Sequence, residues 1–160
     1  MDARELLRGV LGDFSGQTGV ELKLDERDGC SFFYTDTTVN LTLLPKSGQV
    51  LLWITLGKLL PDANAPRRAM RLLELHDAWE ESRGATFMMD PATDVVMVMD
   101  RRSIDTIGDA DAFAAWVESV YAAHARAWSE LEFEFPYVDD DPLEPEAPLI
   151  REIDDGKEPR

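Results

Sequence analysis

Cysteine occurs once in the 160 residues, at Cys30, so no intrachain disulfide can form. No basic residue adjoins it to lower its pKa, and it reads as a small packed hydrophobe rather than a nucleophile. Histidine occurs twice, at His76 and His124, and neither has a second histidine three or four residues on. The helical zinc pattern is therefore missing. Lysine and arginine number 16 against 32 acidic residues, a net charge of −16. That balance disfavours phosphate backbones and anionic lipid surfaces, so neither nucleic acid nor membrane is an expected partner. No apolar run approaches the ~18 residues of a membrane span. The opening "MDARELLRGVLGDF" lacks a basic segment followed by a continuous apolar one, so it is not a secretory signal. A cytoplasmic protein is expected.

Catalytic signatures are equally scarce. There is no Walker-type loop, dinucleotide fingerprint or G-x-S-x-G elbow. Gly9, Gly12, Gly16 and Gly19 fall in a helix and its end rather than between a strand and a helix. "DDD" at 139–141 has the chemistry of a hard-cation ligand, but within an acidic run it reads as a solubility device. No catalytic residue, metal site or cofactor is expected.

What is present is a periodic pattern. Leu6, Leu7, Val10, Leu11 and Phe14 cover an arc of about 140°, predicting a first helix over 2–15. "VELKL" (20–24), "CSFFYT" (30–35), "TVNLTLL" (38–44) and "QVLLWITL" (49–56) read as hairpin-connected strands of an antiparallel meander. Pro66 suits the first turn of a second helix running to 82. Its apolar side chains spread over about 220°, wider than one core contact needs. "ATFMMDPATDVVMVMDRR" (85–102) reads as a two-stranded hairpin, and it holds four of the six methionines. Asp109 is placed to cap a last helix over 109–132, whose stripe runs from Phe113 through Trp116, Val120 and His124 to Trp128. The fold class is α+β: helix, meander, helix, hairpin, helix. Residues 1–132 form one domain. From 133 to 160, ten acidic residues and five prolines give an acidic tail too poor in apolar residues to order. Its start, "LEFEFPYV" (131–138), alternates as a strand would, and folding back over an apolar patch is one use for it.

Large apolar residues are in excess on outward positions: Leu51 and Trp53 on one strand, both faces of the hairpin, and Phe33 if the registers match. Methionine is unbranched and polarizable, which suits adaptable binding surfaces, and contiguous exposed apolar patches mark interaction sites. The alternative is that helices cover both sheet faces and every such residue is core.

The order of elements, the acidity and the size resemble the class I type III secretion chaperones, the Tir-chaperone (CesT-like) group. The likeness is carried by "GATFMMD", "DVVMVMDRR" and "HARAWSEL", and by "LLWITLGKLLPD" (51–62). It implies a cytoplasmic bacterial homodimer that binds the unfolded N-terminal segment of a secreted effector, keeps it soluble and delivers it to the export apparatus, with the apparatus ATPase as a further partner. By the same resemblance Met70, Leu73, Leu75, Phe87 and Met89 fall at the dimer interface. Leu7, Leu11, Phe33, Trp53, Met97 and Met99, joined by Leu51, fall at the effector site. A regulatory or adaptor domain that binds folded partners is the second reading. The long acidic tail departs from the family pattern.

Overall fold

The computed structural model describes residues 2–77 and 84–134. In chain order the elements are α1 (Ala3–Thr18), β1 (Gly29–Tyr34), β2 (Thr37–Leu44), β3 (Gln49–Leu59), α2 (Ala65–Asp77), β4 (Thr86–Met89), β5 (Val95–Ser103), a short α3 (Ile104–Ile107), α4 (Ala110–Glu130) and β6 (Phe133–Glu134). The antiparallel sheet has the order β1-β2-β3-β5-β4, with β6 added beside the end of β3. The expected α+β class and element order are those observed.

Alternation along the strands sends one set of side chains into the core. Val39, Leu41, Leu43, Val50, Leu52, Ile54 and Val98 meet Leu7, Leu11 and Phe14 of α1 and Phe113, Trp116 and Val120 of α4. A second cluster continues the same side, joining Leu56 and Val96 to Leu72 and Leu75 of α2 and to Ala127 and Leu131. Asp109 caps α4, its side chain accepting from the Ala112 N–H at 2.8 Å. Trp116 Nε1 donates to Asp100 at 2.7 Å, while Arg102 bonds the same carboxylate and lies over the indole, which fixes α4 on β5.

Three boundaries differ from the sequence reading. α1 continues a turn beyond Ser15 because the hydroxyls of Ser15 and Thr18 return to the carbonyls of Leu11 and Phe14, and Gly19 (φ 72°) supplies the left-handed stop. "VELKL" is not a strand. Leu22 instead turns inward and its N–H donates to Ser15 Oγ, while Asp25 accepts from Arg27 and Gly29 and starts the turn. Phe133 and Glu134, the first residues of the expected tail, pair with Leu59 and Lys58. Residues 78–82 of the expected second helix and residues 135–160 of the expected tail lie outside the described residues.

Arg68 holds this corner together. Buried on α2, its guanidinium makes two bonds to Asp62 (2.5 and 3.0 Å), one to the Leu60 carbonyl and one to Glu132 at the end of α4. A buried cation needs such partners, since an unpaired one costs several kcal/mol.

Candidate functional site

The residues of opposite parity build the other face of the sheet. Registers align Ser31, Asn40, Trp53, Met99 and Thr86 in one row across all five strands. Gly29, Thr42, Leu51 and Arg101 form the row on one side. Thr55, Met97 and Met88 lie on the other, at the level of Phe33 and Thr38. Neither hydrophobic cluster takes a residue from this face. Among the described residues it is a sheet face with an apolar centre and no helix upon it.

Its surface is uneven. Phe33 is 66% exposed and Met88 is 41% exposed, and Trp53 is half-buried. Leu51, Met97 and Met99 are only 4%, 6% and 9% exposed. The last three therefore sit on the expected face but form its floor, while Phe33, Trp53 and Met88 stand above it. Arg101 puts an exposed cation at the border. β1 lies at one margin of the sheet and β4 at the other.

A second apolar surface lies on α2. The wide arc divides: Leu72 and Leu75 face the second cluster, whereas Met70 and Leu73 are 64% and 70% exposed. Beside them β4 exposes Met88 and Met89, with Phe87 half-buried over the core.

Three expected partner-contacting residues are corrected. Leu7 and Leu11 are fully buried against the sheet and α4, because the single apolar stripe of α1 is the one its own domain consumes. What α1 presents outward is polar or glycine. Leu75 is likewise sealed within the second cluster.

The remaining candidates for chemistry are quiet. Cys30 packs at the margin of the main cluster, and burial pushes its thiol pKa up, away from reactivity. His76 is exposed. His124 is buried in a stack between Tyr121 and Trp128, its Nδ1 lacks a hydrogen-bond partner, and burial lowers its pKa. No cluster of metal-ligating side chains occurs among the described residues. Two open grooves of about 450 and 400 Å³ run along α1 past Gly9, Gly12 and Gly16 and are bordered by Asp13, Asp105 and Asp109. Neither brings together a nucleophile and a base. No described helix is long and apolar enough to cross a membrane.

Residues 9–129 match the Tir chaperone protein (CesT) family. The chain belongs to this family. No curated protein sequence matches it. Solved structures share the chaperone fold at low identity. A chain of the ExsC–ExsE complex aligns with TM-score 0.68 and 20% identity, covering 82% of this chain and 97% of that one. A chain of the HopA1–SchA chaperone–effector complex gives 0.66 and 12%, covering 79% and 96%. A chain of the ExoU–SpcU complex from the type III secretion system of Pseudomonas aeruginosa gives 0.59 and 18%, covering 74% and 95%. Within this CesT-family chaperone, sequence reasoning missed Arg68 as a buried hub. The signal was a lone arginine interrupting an apolar helical arc.

Proposed function

We propose that this CesT-family chaperone binds the N-terminal segment of a type III secreted effector in an extended, export-competent form, as a cytoplasmic homodimer and without catalysis. The observation that carries the reading is the sheet face with no helix upon it among the described residues. Family membership and the chaperone–effector complex among its structural neighbours support the same client class. A sheet margin and an apolar face together suit an extended segment, which takes main-chain hydrogen bonds at the strand edge and seats alternate side chains on the face. β1 offers that margin, with Phe33 beside it. Each well-buried Leu- or Phe-sized anchor contributes about 1.5–3 kcal/mol, and ordering the segment costs about 2–5 kcal/mol. Several anchors are thus needed, which favours a broad face over a pocket. The exposed Met70 and Leu73, with the neighbouring β4, are the surface we assign to the second copy.

Co-expression with the secreted proteins encoded at the same locus tests this. The expected result is a stable complex through the first segment of one of them. Trp53→Glu or Phe33→Glu should weaken it by about 10- to 100-fold, the equivalent of one lost anchor. Absence of any complex, or full affinity in both variants, would refute the reading.

A further inference from the structure

The helix-free face runs against the charge of the protein that carries it. The chain holds 32 acidic residues against 16 basic ones, yet the three rows described above contain no carboxylate. The single charge in them is Arg101, exposed at the end of the row that runs through Thr42 and Leu51.

This cation has no partner among the described residues. Asp100, the nearest carboxylate in sequence, is taken by Arg102 and by the Trp116 indole on the helix side. Leu51 lies directly beside Arg101 on β3 and belongs to the apolar floor. A segment laid over that floor would exclude water from the guanidinium, and a carboxylate brought to it there gains more than one in open solvent.

Phe33, Trp53 and Arg101 stand on one diagonal of the sheet. Phe33 is on β1 in the first row, Trp53 on β3 in the second and Arg101 on β5 in the third. Neighbouring strands lie about 4.8 Å apart and alternate residues of a strand about 6.7 Å apart. Trp53 is thus about 12 Å from Phe33, and Arg101 about 8 Å further on. An extended segment advances about 3.3 Å per residue and sends every second side chain to the same side. Side chains at its first, fifth and seventh positions therefore reach Phe33, Trp53 and Arg101 together.

We propose that Arg101 selects the client by pairing with an aspartate or glutamate of the bound segment, two positions beyond the apolar residue seated on Trp53 and six beyond the one on Phe33. This rests on the client reading above and gives it a register. The acidic body attracts cationic parts of a client over a distance, whereas the surface that touches the segment asks for oily side chains and one negative charge. A wholly basic segment would set a like charge against Arg101.

The test uses the full chain with the client that co-expression captures. Arg101→Glu should weaken the complex about 10- to 100-fold, as for loss of a charge-assisted bond. Arg8→Glu makes the same charge change at an exposed position of α1 and should leave the affinity within about twofold. Each aspartate and glutamate of the bound segment is then replaced by lysine in turn. One such replacement should weaken binding to the parent and restore binding to Arg101→Glu, a rescue that only a folded variant can show. Unchanged or tighter binding by Arg101→Glu, an equal loss in Arg8→Glu, or the lack of any reciprocal position in the client overturns the proposal. A captured client that ignores Arg101 leaves the client reading standing, whereas capture of none removes both.

Discussion

Gly57 lies in β3 where the β5 register shifts, at φ 111°, and a Cβ built there would sit 2.7 Å from the backbone oxygen of Glu134. Gly57→Ala therefore meets two penalties. Holding a non-glycine residue at this φ costs about 1–3 kcal/mol. The clash must also be relieved, and the cheapest relief is detachment of β6. That releases the ladder to Lys58 and Leu59, at about 1 kcal/mol per hydrogen bond, and exposes part of Phe133, about another 1 kcal/mol. The sum is about 4 kcal/mol. Gly48→Ala is the control. Its φ is 64° and the nearest atom is Ile104 Cγ2 at 3.9 Å, so it meets only the conformational penalty, about 1–2 kcal/mol. Urea unfolding of both variants should place Gly57→Ala lower by about 2 kcal/mol. Hydrogen exchange should show faster exchange at Phe133 and Glu134 in that variant alone. Equal stability of the two variants, with β6 still protected, would refute the close-approach reasoning.

Other outcomes follow from the same geometry. Met70→Glu combined with Leu73→Glu should give a monomer by sedimentation while leaving protomer stability near that of the parent, since both side chains are exposed; a persistent dimer would move the interface elsewhere. Leu75→Glu should instead unfold the protomer, because it leaves an unpaired carboxylate in the second cluster; circular dichroism distinguishes the two. Burial holds the His124 pKa below its ordinary 6.5, so the unfolded chain takes up a proton that the folded chain refuses. Stability should fall as pH drops from about 6.5 towards the folded value, and His124→Phe should remove that part of the slope in urea midpoints taken at intervals down to pH 5.5. Asp109→Ala removes the α4 cap and should cost about 1 kcal/mol, read as a lowered unfolding midpoint.

Much of this architecture was readable from periodicity. The stripe of α4, its aspartate cap, the meander and the methionine hairpin follow from apolar spacing and turn residues, which are local signals. Sharing of a face by Phe33 and Trp53 depends on register, which alternation leaves open and the strand pairing supplies. The errors have one cause. A helical stripe states that a face is apolar without stating what covers it, so Leu7, Leu11 and Leu75 were assigned to partners although their own domain buries them. The hub at Arg68 was legible only as a charge interrupting an apolar arc, since its carboxylates, Asp62 and Glu132, lie 6 and 64 residues away. "VELKL" alternates as a strand should, but pairing needs a neighbour, and Asp25 turns the chain before one is reached.

The central stretch of β5 is oily on both sides, with Val96 and Val98 beneath and Met97 and Met99 above. Sliding such a strand by one position would exchange valines for methionines and expose nothing new to water, so solubility alone cannot hold its alignment. The polar end must do so. One step of slippage would pull Asp100 off the Trp116 indole and leave a donor inside the protein unanswered. Alignment of the greasiest segment is thus secured at its polar end, and Asp100→Ala should weaken that hold.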